Sequence, residues 1–227
     1  MMTKQEKQML ERTKLVCNTP HFVSHTYFAN QQTKETGVDI LFAVNSPRGS
    51  LLTCATLGLL NYDIQFKNGE KDIRVELVGV SKVDPKNEKD VDMVARILST
   101  AAFGIMERHI PCGLGSVFPN ILRGYLPDSD MKHIIFISPP PFWKTPFGTI
   151  ELEDFTLTWL YALPISDAEF EYLRKQDMKN RENGGINRIE SLKALLKLLG
   201  DNKADIFDFN RKSVEIPADD SDEKVSE

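Results

Sequence analysis

Cysteine is scarce in this sequence. The three residues, Cys17, Cys54 and Cys112, are far apart and odd in number. Neither a disulfide framework nor a paired metal knuckle can be built from them, which leaves buried free thiols in a reducing compartment. Long apolar runs are also missing. None approaches the ~18 residues of a membrane span. The opening Met1-Met2-Thr3-Lys4-Gln5-Glu6-Lys7-Gln8 is polar and lacks the apolar centre of a secretory signal. The expectation is a cytoplasmic protein with no membrane role. There is no excess of positive charge: 28 Lys and Arg stand against 33 Asp and Glu, a net charge of −5. This balance argues against a phosphate backbone as direct partner and suits a basic protein surface.

The signatures of several chemistries are absent too. No GxxxxGK[ST] loop occurs. Gly113-Leu114-Gly115 is a lone GxG that follows a helical pattern, so the dinucleotide fingerprint fails. His21 and His25 have ligand spacing for a helix, but their surroundings read as strand, where such positions lie ~13 Å apart. Nor is there a HExxH motif, and no metal or cofactor is expected. His109 and Cys112 are sequence neighbours, and catalytic pairs usually come from distant segments. Glu151 and Glu153 lie on an exposed-looking stretch with no apolar pocket to raise a pKa.

What is present is an ordinary globular chain of 227 residues, 41% hydrophobic and 27% charged. Thr3 and Glu6 have capping-box spacing and predict a helix over 3–16. Val38–Val44 and Leu51–Leu57, separated by turn residues 45–50, predict a hairpin. Ile73–Val80 is a third strand, with Ile73, Val75 and Leu77 on one face and Arg74 and Glu76 on the other. Asp84 as cap and Pro85 at the first helical position predict a helix to about His109. Residues 111–131 are loop-rich, and His133–Ile137 is an apolar central strand. Pro139, Pro140 and Pro141 then lead the chain out of the sheet as a stiff loop ending in Phe142 and Trp143.

Phe155–Leu163 alternates cleanly, and Pro164 is expected to stop it. Ser166 and Glu169 form a second capping box, flanked by Ile165 and Phe170 at hydrophobic-staple positions. Asn183-Gly184-Gly185 reads as a turn. Ile189, Leu192, Leu195, Leu196 and Leu199 mark a last helix, which Gly200 is placed to end. Residues 215–227 hold six carboxylates and read as a disordered, solvated tail. With no repeat and no linker, the pattern predicts a single α+β domain over 1–214, a mixed, mainly antiparallel sheet covered by helices.

Several of these segments together resemble one family. Thr56-Leu57-Gly58-Leu59 resembles the T-x-G-hydrophobic strand end of suppressor-of-fused-like domains, and Arg74-Val75-Glu76-Leu77 their next strand. Ser129 to Phe136 is similar to the segment entering their central strand. Phe155 to Tyr172, with Trp159-Leu160-Tyr161-Ala162-Leu163-Pro164-Ile165-Ser166 and Glu169, looks like the family's most recognisable block. Asp208 to Val214 is similar to its Asp…Arg-x-Ser-Val ending. The resemblance spans about 38–214. It departs where Leu60 and Asn61 follow the glycine instead of the usual serine.

This resemblance implies a domain that binds protein and performs no chemistry. Bacterial members look like immunity proteins or antitoxins, and an animal member clasps an extended peptide. The leading expectation is therefore neutralisation of a cognate protein toxin, such as a nuclease, with Phe142 and Trp143 as anchors. The alternative is a peptide-binding module that takes an extended segment by strand addition, with Arg74 and Glu76 lining the edge. A third reading is an unfamiliar hydrolase site near Glu107, His109 and Cys112.

Overall fold

A computed structural model describes residues 2–19, 22–64, 66–68, 71–82, 87–182 and 188–217. The elements are α1 (Lys4–Cys17), β1 (Val23–Phe28), β2 (Gly37–Val44), β3 (Leu51–Leu57), a short 3-10 turn (Leu59–Asn61), β4 (Lys67–Asn68), β5 (Lys71–Lys82) and α2 (Glu88–Arg108), then β6 (Val117–Phe118), β7 (Met131–Ile137), β8 (Thr149–Glu151), β9 (Phe155–Ser166), α3 (Asp167–Glu182) and α4 (Arg188–Asp201). The sheet runs β1-β2-β3-β5-β9-β7-β6, with β4 added to β5 and β8 to β9. Among the described strand pairs, only β5 with β9 is parallel. The domain is α+β, and its sheet is mixed and mainly antiparallel.

Both faces of the sheet are covered, which explains the sequence of the long inner strands. On one face, Ile40, Leu52, Val75, Leu77, Ile134 and Leu160 pack against Val94, Leu98 and Ala101 of α2. On the other, Val78, Val80, Ile135, Trp159 and Leu163 meet Met9 and Val16 of α1, Leu173 of α3 and Leu195 and Leu199 of α4. A strand buried on two sides must be apolar at nearly every position. In β9 this holds from Trp159 to Ile165. Gly79 lets α2 come close: a Cβ there would stand 3.2 Å from a Val94 methyl.

Local signals set the helix starts. Thr3 accepts from the Glu6 N–H at 3.1 Å, and its own N–H donates to the Glu6 carboxylate at 2.6 Å, closing the capping box of α1. Ser166 and Glu169 do the same for α3, each bond 3.1 Å.

The structure corrects three expectations. Pro164 does not stop β9, which continues to Ser166. The parallel ladder to β5 ends at Tyr161, so Pro164 has no neighbour strand on that side needing its missing N–H. Its carbonyl accepts instead from Arg211 at 3.0 Å. The cap of α2 is Asn87, whose side chain accepts from the Lys89 N–H at 3.2 Å. Asp84 and Pro85 lie outside the described residues, as do His21, the 183–185 turn and residues 218–227 of the tail. Gly200 lies within α4, and the left-handed residue past its end is Lys203, at φ 51°.

Candidate functional site

The four residues marked by sequence fall in different environments. Glu76 is fully buried. Its strand, β5, lies inside the sheet between β3 and β9, so it offers no edge for strand addition. Alternation does turn Glu76 away from Val75 and Leu77, but that face is covered as well. β3 leaves the β5 ladder after Ala55, and the chain folds back over Glu76 as the 3-10 turn. Gly58, at φ 106°, makes the reversal that a side chain would strain. The Glu76 carboxylate receives the N–H groups of Gly58 at 2.9 Å and Leu60 at 3.0 Å, and the Thr56 hydroxyl at 2.5 Å. Burial pushes its pKa up to about 7 against these bonds. Glu76 is thus an internal cap. Arg74, also on β5, is mostly covered, with Asp72 at 3.3 Å and its guanidinium over the Phe155 ring.

Trp143 is only 5% exposed. Its ring meets Phe147 edge-on at 4.7 Å, Phe147 meets Trp159 at 5.5 Å, and its indole N–H donates to Ser46 at 3.3 Å. It fastens the proline loop to the core and is not available as a surface anchor. Phe142 remains 37% exposed, held edge-on against Phe207 at 4.7 Å.

Phe142 stands on the rim of a groove of about 740 Å³. The buried Ile137, Leu163 and Leu199 underlie it, and Pro139–Phe142 and Ala204–Phe207 flank it as walls, meeting where the Phe142 ring packs on Phe207. Both walls are fixed. Trp143 holds the first. The second is tied down where the Lys82 N–H donates to Phe207 O at 3.1 Å and the Tyr161 hydroxyl to Ile206 O at 3.3 Å. Arg48 and Lys203 stand at the groove, and neither forms an ion pair among the described residues. Asp205 is engaged by Lys82. No motif or spacing marks this grouping, because its residues come from four separate segments.

Beyond this wall the chain is locked by Arg211. Its guanidinium pairs with the buried Glu169 carboxylate through two bonds, of 2.6 and 2.7 Å. Glu169 also caps α3 and accepts from the Val214 N–H at 3.1 Å. Asp130 accepts from the Ser213 N–H at 3.1 Å.

The titratable groups are in structural use. His133 is buried; its Nδ1 accepts from the Asn120 N–H at 2.9 Å, so Nε2 carries the proton and donates to Asp167 at 2.8 Å. That leaves no free lone pair for base catalysis. Cys112 is buried and its thiol pKa is pushed far up, the reverse of an activated nucleophile. His109 is the exposed left-handed cap of α2. Gly115 donates its N–H to Phe136 O at 2.7 Å, so its amide is unavailable to a phosphate. Among the described residues no three His, Cys, Asp or Glu side chains gather as a metal site, and no helix is long and apolar enough to cross a membrane.

One long strand edge is open among the described residues. Ala29 N–H donates to Thr36 O across the β1–β2 ladder. By the two-residue alternation, Ser24, Thr26 and Phe28 turn their backbone groups outward. At the far edge, β6 has only two residues.

Compared with known proteins, residues 34–212 match the family model described as suppressor of fused protein (SUFU). Immunity protein YqcF of Bacillus subtilis is 32% identical over 181 residues, 80% of this chain and 83% of that protein. A suppressor of fused homologue from Neisseria gonorrhoeae has a similar structure, with a TM-score of 0.64 at 15% identity, over 94% of this chain and 98% of that one. The Sufu–Fu complex gives 0.52 at 11% identity, over 74% and 78%. The last two likenesses bear on the fold alone.

Proposed function

The chain belongs to the suppressor of fused family, and on that premise we propose that it is an immunity protein that neutralises a cognate protein toxin in the cytoplasm by forming a direct complex. The observation that carries the reading is the 32% identity to an immunity protein over most of both chains. The internal use of His133, Glu76 and Cys112 supports action by binding without chemistry of its own. A net charge of −5 suits a toxin with a basic, nucleic-acid-binding surface, and hence a nuclease. Co-expression and co-purification with the product of the adjacent gene tests this. Rescue from toxicity with a stoichiometric complex supports it; unchanged toxicity and no complex rejects it for that pair.

A second reading, capture of an extended peptide by strand addition, is favoured by the open edge of β1. Ser24→Pro removes an outward N–H and spares the β2 ladder. It should abolish peptide capture with folding intact; unimpaired capture removes the reading.

A further inference from the structure

We propose that the groove between Pro139–Phe142 and Ala204–Phe207 seats an extended segment of the protein partner that carries an apolar side chain flanked by carboxylates. This deepens the immunity reading and rests on it for the partner's identity. Four observations lead there. The open apolar surface of the groove is Phe142 and Leu196, each about one-third exposed, above a floor of the buried Ile137, Leu163, Leu199 and Phe207. Both walls are already ordered by Trp143 and by the bonds to Ile206 and Phe207, so binding need not freeze them. Pro139, Pro140 and Pro141 have no N–H, so the backbone of their wall offers no donors to a free anion, and the Pro140 carbonyl is already taken by the Phe142 N–H at 2.8 Å. Arg48, whose guanidinium lies over the Phe207 ring at 5.9 Å, and Lys203 stand at the groove without described ion pairs, while the carboxylate that also lines it, Asp205, is taken by Lys82.

The charge at the groove is therefore positive on a chain whose net charge is −5. An acidic protein with a cationic groove selects one part of its partner. The bulk of a basic toxin is attracted by the overall field, and a segment with carboxylates beside an aromatic or aliphatic residue is chosen locally. Phe142 on a rigid wall, desolvated on entry, is the anchor.

The test uses the full chain and three peptides: a phenylalanine between two pairs of aspartates, the same with lysines in place of aspartates, and the acidic peptide with glycine at its centre. Binding is followed by amide chemical shifts. The acidic phenylalanine peptide should bind saturably, with shifts at residues 137–142 and 203–207. The lysine and glycine peptides should each bind about ten-fold or more weakly. Phe142→Ala should remove the preference for phenylalanine. The pair Arg48→Glu and Lys203→Glu should reverse the charge preference, a gain that misfolding cannot mimic.

No saturable binding, no discrimination among the peptides, or shifts centred on β1 would overturn the proposal. If removing residues 218–227 raises affinity about ten-fold, the chain's own tail is the occupant and the partner assignment falls. In the co-purification assay, a complex that forms with undiminished affinity in the Phe142 and charge-reversed variants sinks the groove and leaves the immunity reading standing. Absence of any complex sinks the latter, while the peptide titration still decides the former.

Discussion

Replacing Glu76 by glutamine should stabilise the protein in mildly alkaline solution and leave its stability in acid unchanged. The carboxyl is fully buried, receives three described hydrogen bonds, and has its pKa pushed from 4.5 to about 7. A native state with the higher pKa holds the proton more tightly than the unfolded chain. The stability linked to that proton is complete below about pH 4.5 and is lost as pH rises through about 7. At 1.36 kcal/mol per pH unit, that interval corresponds to a loss of about 3 kcal/mol. Glutamine keeps an acceptor for Gly58 and Leu60 and turns an N–H toward Thr56, whose hydroxyl already accepts from the Leu77 N–H at 2.8 Å.

Urea unfolding of both proteins from about pH 4 to about pH 9 gives a difference curve in which other titrating groups cancel. It should be flat below about pH 4.5 and rise toward about 3 kcal/mol in favour of glutamine above about pH 8. Glu76→Ala should instead be destabilised throughout, because two covered N–H groups lose their acceptor at about 1–3 kcal/mol each. A flat difference curve between wild type and the glutamine variant would refute the claim that desolvation dominates at this site.

Other perturbations probe the remaining framework. Arg211→Ala leaves the Glu169 carboxylate buried without its cation and should cost about 3–5 kcal/mol in denaturant unfolding; Glu169→Ala should cost a similar amount, and the double variant less than the sum. Trp143→Ala should cost about 3–5 kcal/mol, against about 1 kcal/mol for Phe142→Ala, and comparable losses would contradict the division into prop and rim. The thiols of Cys54 and Cys112 are pushed far above the usual range and that of Cys17 up to about 11. The native protein at neutral pH should therefore react negligibly with an aromatic disulfide reagent, with all three thiols titrating only after unfolding.

What the sequence made legible was local. Both capping boxes and the β2–β3 hairpin use residues within a few positions of one another, and the structure shows them as expected. The family motifs were legible for the same reason. The interior position of Glu76 is not legible, because alternation tells which residues share a face but not whether that face is covered. Its cover is a three-residue turn with no periodic signal. Pro164 looks like a stop from sequence because the end of the neighbouring ladder at Tyr161, which makes it tolerable, is a tertiary fact. Trp143 and Phe142 are adjacent and alike in the sequence; packing against Phe147 separates a prop from a rim. The groove joins residues 48, 137–142, 163 and 196–207, and no spacing rule connects them.

The parallel pairing of β5 with β9 dictates an order of events during synthesis. β5 ends at Lys82 and its partner begins at Phe155, so 73 residues separate their emergence. At about 5–20 residues per second, the ribosome leaves one side of an apolar strand without its neighbour for about 4–15 s. The N-terminal strands can pair in that time, but the sheet cannot close until its centre is supplied late. The groove is completed later still, since one wall lies at 204–207 and the Arg211 lock follows it. Under the immunity reading and with the groove as the proposed seat, protection therefore depends on finished molecules already in store, because a chain still in translation lacks that seat.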